Sequence, residues 1–163
     1  MLNGNTEQIE NALINKEIEV GNEVKKDLKH NLETYYNLNK RIAPKAKILH
    51  LGNDYGQLDV LLALQEPQRK IVSFINDEEK LSVAKTNYFL KKRKIFYVDQ
   101  LESAFENQHE VLLISDESYE AEIEKVISTA SSIILVNCSR LKNQLKDFEI
   151  VSEENALIVL KKK

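Results

Sequence analysis

Apolar residues recur at helical spacing in the stretch before Pro44. Two amphipathic helices are predicted there, over residues 6–20 and 24–42, with Gly21 as the stop signal between them. Pro44 ends the second helix, because the residue before a proline avoids the α conformation. We expect these helices to form an N-terminal appendage over residues 1–45. It must pack either on its own sheet or on a partner protein.

Short runs rich in Ile, Val and Leu alternate with helix-like stretches after Pro44. Several of these runs are apolar on both faces, as expected for parallel strands that are covered by helices on each side. The predicted strands are 48–51, 71–75, 95–98, 111–115 and 133–137, and the predicted helices are 57–65, 77–89, 101–106, 117–129 and 139–146. This alternation predicts a doubly wound, mostly parallel α/β sheet over residues 46–163.

The last two apolar runs, 148–151 and 156–160, are separated only by the polar residues 152–155. A parallel crossover needs about a dozen residues or more, so these strands must pair antiparallel as a hairpin. The sheet should therefore have about seven strands, of which only the last runs antiparallel.

Composition places the chain among ordinary globular proteins. Its 163 residues are 42% hydrophobic and 30% charged, which fits one domain with a core. The formal net charge of −3 creates no field that would attract nucleic acid or an anionic membrane. The basic runs 91–94 and 161–163 flank apolar strands, where charge is usually solvated. We therefore expect neither nucleic-acid binding nor membrane insertion.

Cysteine usage and the start of the chain bear on its location. Cys138 is the only cysteine, so no disulfide can form within the chain, and a reducing compartment is the simpler interpretation. No apolar run approaches about 18 residues, and the first five residues lack the charged and apolar regions of a signal peptide. A cytoplasmic location is predicted.

A glycine-containing turn follows the first predicted strand. Gly52 and Gly56 stand between this strand and the helix that begins at Gln57. Such a turn lets a ligand approach the backbone and meet the N–H groups at the start of the helix.

Residues 48–58 read Ile-Leu-His-Leu-Gly-Asn-Asp-Tyr-Gly-Gln-Leu and resemble motif I of the class I S-adenosylmethionine-dependent methyltransferases. That motif is typically hydrophobic-hydrophobic-Asp-hydrophobic-Gly-x-Gly-x-Gly. Residues 71–88 resemble motif II and its helix, and the family also has the terminal hairpin. The likeness in layout covers residues 46–160. More faintly, the chain is similar to the methyltransferase domains fused to bacterial lysophospholipid acyltransferases.

The resemblance implies a Rossmann-like transferase with S-adenosylmethionine as its cofactor. The cofactor contacts would come from the turn after the first strand and from the ends of the second, third and fourth strands. The implied binding residues are Gly52, Asn53, Asp54, Gly56, Ile75, Asn76, Asp99, Gln100 and Asp116. The pattern identifies no catalytic residue. No metal site is predicted either, because the three histidines lack the spacing of metal ligands.

Three positions depart from the family pattern. His50 stands where the family has an aspartate, Asp54 where it has the middle glycine, and Ile75 where an acidic residue binds the ribose hydroxyls of the cofactor. An isoleucine cannot accept those hydrogen bonds, and buried unpaired hydroxyls would cost about 1–3 kcal/mol. A histidine such as His50, inside an apolar strand, is more typical of a satisfied core residue than of a ligand.

Asp54 and Asp116 each leave two interpretations open. A carboxylate at Asp54 would repel the pyrophosphate of NAD, FAD or ATP, whereas adenosylmethionine is cationic. Asp54 could therefore meet the cofactor, or it could fill the vacated pocket together with Tyr55. Asp116 falls where substrate and methyl donor meet in the family, but it is also a good N-cap for the helix that follows.

Two functions from different classes follow. The first is a weak or inactive S-adenosylmethionine-dependent methyltransferase that acts on a small molecule by positioning it in line with the methyl group. The second is a non-catalytic binding or scaffolding module that keeps the fold and docks a protein partner through the N-terminal helices. The departures at His50, Asp54 and Ile75 favour the second slightly, while Gly52 and Gly56 keep the first open.

Overall fold

A seven-stranded sheet forms the centre of the computed structural model, which describes residues 18–86, 94–106, 108–154 and 156–163. The strands are β1 (Lys47–Gly52), β2 (Lys70–Ile75), β3 (Lys94–Tyr97), β4 (Val111–Ile114), β5 (Ser132–Val136), β6 (Phe148–Glu154) and β7 (Leu157–Lys162). Their order in space is β3-β2-β1-β4-β5-β7-β6. Strands β1 to β5 pair in parallel, and only β7 runs antiparallel to its neighbours. The predicted topology is confirmed.

The terminal hairpin is tighter than the sequence predicts. β6 continues through Ser152 to Glu154, so residues 155 and 156 alone separate it from β7. The prediction of a four-residue polar link was wrong. β6 is the outer strand of the sheet, where polar side chains face solvent while the backbone still pairs. Because residues 152–154 are polar, the sequence shows no apolar pattern that would reveal the end of this strand.

Five α-helices surround the sheet in the described part of the chain. They are α1 (Ile18–His30), α2 (Leu32–Arg41), α3 (Gln57–Gln65), α4 (Glu78–Lys85) and α5 (Ile123–Val126). Short 3₁₀ segments cover 101–106, 117–122, 127–129 and 139–144, where the sequence predicts α-helices. These connections have one or two turns, which 3₁₀ geometry spans with fewer residues. None of the described helices has the length and apolar composition of a membrane span.

The N-terminal helices differ from their predicted boundaries. α1 runs through Gly21, so the predicted stop there was wrong; most of the predicted helix over 6–20 lies outside the described residues. The break comes instead at Asn31, whose side chain donates to Asp27 O (3.2 Å) and Asp27 Oδ1 (2.8 Å). Asparagine side chains compete with helix geometry in this way. At α4, Asp77 accepts from Lys80 N (3.0 Å) and caps the start of the helix.

Two apolar layers cover the faces of the sheet. Ile48 of β1 packs with α1, α2 and α3 on one face, and Leu49 packs with α5 and the 3₁₀ segments on the other. Leu28 and Leu38, on α1 and α2, are fully buried in the first layer. The described N-terminal helices therefore pack on their own sheet. The division of the chain at residue 45 stays a prediction.

A buried arginine joins the ends of two helices. Arg69, only 1% exposed, donates to the carbonyl oxygens of Asn39 (3.0 Å), Ile42 (2.6 Å), Ala43 (3.2 Å) and Leu62 (3.1 Å), and to Asn39 Oδ1 (2.6 Å). These acceptors lie at the carboxyl ends of α2 and α3 and just beyond, where the helix dipoles favour a cation. The guanidinium thereby fixes α2 against α3.

We expect Arg69→Lys to lower the free energy of unfolding by about 3 kcal/mol, because an ammonium cannot satisfy all of these buried carbonyls at once. Urea denaturation measures the change. Arg41→Lys is the matched control on the surface, with an expected effect below about 0.5 kcal/mol. Equal effects of the two substitutions would contradict this role of Arg69.

Candidate functional site

The glycine turn lies where the strand order reverses. The chain moves outward from β1 to β3 on one side of the sheet and outward from β4 on the other, so the switch point lies between β1 and β4. In open α/β sheets, ligands bind in the crevice outside the carboxyl ends of the strands at such a point. Ser115, directly after β4, is joined to β1 by the bond from its N–H to Leu51 O (3.0 Å).

A buried hydrogen-bonded chain connects β1, α3 and β4 beneath this crevice. His50 Nδ1 lies 2.7 Å from Asp59 Oδ1, and His50 Nε2 lies 2.7 Å from Ser115 Oγ. His50 and Asp59 are fully buried, which confirms the prediction of a satisfied core histidine. Burial alone would lower the pKa of His50, but the charge and hydrogen bond of Asp59 outweigh it and raise the pKa overall.

Two members of this chain were not predicted. Asp59 interrupts the otherwise apolar run Leu58–Ala63. An acidic residue within such an apolar helix was the sequence signal that could have identified it. Ser115 follows a strand whose four residues are all buried.

Gly52 and Gly56 are required by neighbouring side chains of the protein itself. A Cβ at Gly52 would lie 2.9 Å from the His50 ring and 3.0 Å from Ser115 Oγ. Gly56 has a φ of 87°, and a Cβ there would lie 2.3 Å from the Tyr97 hydroxyl. The protein's own side chains therefore explain why glycine stands at both positions, without any ligand.

Asp54 turns back into the protein. Its Oδ1 accepts from Gly56 N (3.1 Å), and the side chain is half-buried. Burial raises the pKa of Asp54 to about 6; the charge of His50 opposes this rise, and that of Asp59 adds to it. Near neutral pH, Asp54 is therefore a carboxyl group that ionises only reluctantly.

The N-terminal helices close one side of the turn. Asp27 of α1 accepts from Gln57 Nε2 (3.0 Å) at the start of α3 and from the Tyr35 hydroxyl (2.9 Å) of α2. Asn31 Oδ1 accepts from Asn137 Nδ2 (3.0 Å), just beyond β5. These contacts hold α1 and α2 across the carboxyl ends of the strands.

Tyr119 closes the crevice between β1 and β2. Its hydroxyl lies 2.6 Å from Gly52 O and 3.2 Å from Phe74 O, so it can donate to the carbonyls at the ends of both strands. The residue is only 2% exposed, and its ring makes an edge contact with Phe74. A side chain of the protein thus occupies the position in front of these two strands.

The remaining predicted site residues are held by protein contacts. Ile75, 1% exposed, packs with Leu81 and Ala84 rather than facing the crevice. Asn53 O and Oδ1 accept from Lys80 Nζ at 3.2 and 2.9 Å. Asp99 forms an ion pair with Lys85.

Asp116 and Asn76 meet at Ser118. Asp116 Oδ2 accepts from Ser118 N (3.2 Å), which confirms the predicted N-cap, although the capped segment is a 3₁₀ helix. Asn76 Nδ2 donates to Ser118 Oγ (2.6 Å). The loops after β2 and β4 are therefore bonded to each other.

One cavity brings two predicted residues together. Asn76 and Gln100 line a space of about 290 Å³ beside Tyr119, between the segments after β3 and β4. This volume is at the lower end of the range of about 300–1,000 Å³ for small-ligand pockets. A cavity of about 420 Å³ next to Lys47 and Lys162 lies at the amino ends of the strands, away from the switch point.

Metal and thiol chemistry find no support among the described residues, where no three His, Cys, Asp or Glu side chains are placed to hold an ion. Cys138 is fully buried and lies 3.1 Å from Ile114 O. Burial raises the pKa of Cys138 to about 12, which keeps the thiol protonated.

We expect Gly56→Ala to destabilise the ligand-free protein by about 2 kcal/mol or more, from the positive φ and the contact with Tyr97. Adding Tyr97→Phe removes the hydroxyl that clashes and should recover part of this loss. Tyr97→Phe alone is the control. Its hydroxyl has no well-placed hydrogen-bond partner among the described residues, so the change should be below about 1 kcal/mol. Urea denaturation of the two single variants and the double variant measures their free energies of unfolding. If the effects of the two substitutions simply add in the double variant, the proposed clash between them is contradicted.

Asp54→Asn should stabilise the protein above pH 6. The pKa of Asp54 is about 6 in the folded protein and 3.8 ordinarily, so the folded protein binds the proton more tightly than the unfolded chain does. Stability is therefore lost as the pH rises from 3.8 to about 6, and the loss is complete above that range. The variant should be more stable by about 1 kcal/mol at pH 8, a value reduced for solvent screening of a half-buried group. This gain should disappear as the pH falls from 6 to 4. A difference in stability that stays constant over that range would contradict the prediction.

No protein-family model and no curated protein matches the sequence. Solved structures do match, with similar folds. They include TrmN from Thermus thermophilus (TM-score 0.61, 14% identity, 80% of this chain and 48% of that one). A putative tRNA (m1A22) methyltransferase from Streptococcus pneumoniae has a TM-score of 0.60 and 21% identity, over 81% of this chain and 69% of that one.

TrmK from Mycoplasma capricolum, solved with S-adenosyl-homocysteine, has a TM-score of 0.57 and 17% identity, over 80% of this chain and 68% of that one. The chain spans about half the length of the Thermus protein. At these identities the likeness concerns the fold. The chain has the Rossmann-like fold of the class I methyltransferases.

Proposed function

We propose that the chain is a methyltransferase-like domain whose methyl-donor crevice has closed, and that it carries out no adenosylmethionine-dependent methyl transfer of its own. The observation that carries the proposal is the Tyr119 hydroxyl, which bonds to the carbonyls of Gly52 and Phe74 at the ends of β1 and β2. A ligand laid across these strand ends would have to displace a buried aromatic side chain.

The residues present fit S-adenosylmethionine poorly. Displacing Tyr119 breaks the hydrogen bond that its hydroxyl donates, worth about 0.5–1.5 kcal/mol, and exposes a buried ring. Ile75 offers no acceptor to ribose hydroxyls and is packed away from the crevice. The ammonium of Lys80 lies against the glycine turn through Asn53, where it would repel a cationic cofactor.

The contacts of Asp54 support its role as a filler of the turn. Its carboxyl group accepts from the turn's own Gly56 amide, and burial raises its pKa to about 6, so its charge at neutral pH is unfavourable for the fold. The proposed site therefore uses Asp54 to complete the fold.

A small-molecule ligand remains part of the proposal. The cavity beside Asn76 and Gln100 is open, and Phe74 and Tyr119 give it apolar walls. We assign to it weak binding of a small planar molecule. Docking of a protein partner through the N-terminal helices also stays a proposal, and the described helices leave Tyr36 exposed for it. Cytoplasmic location and the absence of nucleic-acid binding stay predictions.

Calorimetry and thermal melts with S-adenosylmethionine and S-adenosylhomocysteine test the proposal. We expect a dissociation constant above about 100 μM for the wild type and no ligand-dependent rise in melting temperature. Tyr119→Ala should open the crevice and gain a measurable shift, whereas Tyr36→Ala, at an exposed tyrosine, should not. A low-micromolar constant for the wild type would favour an active methyltransferase acting on a small molecule.

A further inference from the structure

The hydrogen-bonded chain beneath the crevice runs in the order Asp59, His50, Ser115. The acid Asp59 binds Nδ1 of His50, and the hydroxyl of Ser115 binds Nε2, each at 2.7 Å. Asp59 and His50 are fully buried, whereas Ser115 is half-buried, so the serine is the end of the chain that reaches the crevice. A serine on Nε2 and a carboxyl group on Nδ1 are the arrangement that activates a hydroxyl for nucleophilic attack.

This polar chain is costly for stability alone. His50 and Asp59 lie on a strand and a helix that are otherwise apolar, and buried Asp59 Oδ2 makes no well-aligned hydrogen bond among the described residues, although the side chains of Asp59 and Tyr97 interact. Apolar residues of similar volume often replace buried ionic groups at no loss of stability, and partly satisfied networks are the least favourable kind. Perturbed titratable groups clustered beside a cleft point to chemistry.

We propose that Ser115 is a nucleophile activated by His50, which Asp59 orients, and that it takes up the acyl group of a small carboxylic ester. The inference goes beyond the proposed loss of methyl transfer and does not depend on it, because none of its steps involves adenosylmethionine.

The reaction balances with water as the second substrate. Ser115 Oγ attacks the ester carbonyl carbon while its proton passes to His50 Nε2. The bond from that carbon to the alcohol oxygen breaks, and the alcohol leaves with the proton from Nε2. Water then attacks the acyl-serine and gives a proton to Nε2. Ser115 Oγ departs with this proton, and a carboxylic acid is released.

The proposal assigns the oxyanion to two backbone amides close to Ser115, those of Asp116 and Asn53. Asp116 follows the nucleophile directly, and Asn53 follows Gly52, which lies against Ser115 Oγ. An amide from the residue after the nucleophile, paired with one from a neighbouring strand loop, is the donor arrangement used by serine esterases of α/β folds.

Labelling of the full chain with diisopropyl fluorophosphate tests the nucleophile, with intact mass and peptide mapping as readouts. We expect one adduct, on Ser115. Ser115→Ala should lose it, and Ser139→Ala should keep it, since Ser139 is a more exposed serine beyond the neighbouring strand β5. No adduct, or an adduct spread over exposed serines, would overturn the proposal.

Two further readouts separate activation from mere exposure. His50→Gln and Asp59→Asn should each slow labelling at least about 100-fold, because the serine loses its base or the base loses its orientation. In the wild type the rate should rise with pH and then level off, with its midpoint above the ordinary pKa of histidine, since His50 has a raised pKa and must lose its proton to act as a base. A rate that climbs without levelling, as for an unassisted hydroxyl, would overturn the proposal even if both variants failed to fold.

Ester turnover tests the reaction class. The full chain should hydrolyse p-nitrophenyl acetate faster than the free hydrolysis of the ester, and Ser115→Ala should lose this excess rate, whereas Ser139→Ala should keep it. No excess rate in the wild type, or an equal excess in Ser115→Ala, would overturn the proposal.

Discussion

The contact between His50 and Asp59 constrains the whole carboxyl edge of the sheet. Both groups are fully buried, so their shared hydrogen bond must be kept and the other ring nitrogen must find its own partner. Ser115 supplies that partner from the neighbouring strand. The imidazole in turn fills the space that a side chain at position 52 would need, and only glycine fits there. One buried pair thus fixes residues on β1, α3 and β4.

The same principle holds at the opposite end of α3. Arg69 is buried without a carboxylate, and the carbonyls at the ends of two helices neutralise it instead. In both places neighbouring groups satisfy most of the hydrogen-bonding atoms of a buried charged or polar side chain. Arg69 thereby joins α2 to α3, and the His50 chain joins α3 to β1 and β4, more specifically than apolar packing would.

The sequence carried the layout of the fold but not these contacts. Both-face apolar runs and the short terminal link were sufficient for the number of strands and for the reversed last strand, but they did not predict the order of the strands in space. The break at Asn31 depends on a side-chain bond to Asp27, which has no periodic signature. In the site, the sequence identified the glycine turn but not the side chains that surround it. Tyr97 and Tyr119 come from distant segments of the chain and fill the space that the family pattern reserves for a ligand. Spacing along the chain cannot show such contacts.

The contacts of α1 and α2 also impose an order on folding. Asn31 is bonded to Asn137, 106 positions later in the chain, and Arg41 reaches Glu154. During synthesis the helices leave the ribosome first, but the surface that receives them is complete only when β5 and the terminal hairpin have emerged. Their apolar faces therefore wait uncovered for most of translation, which makes this N-terminal segment the part of the nascent chain most exposed to chaperones or to misassociation.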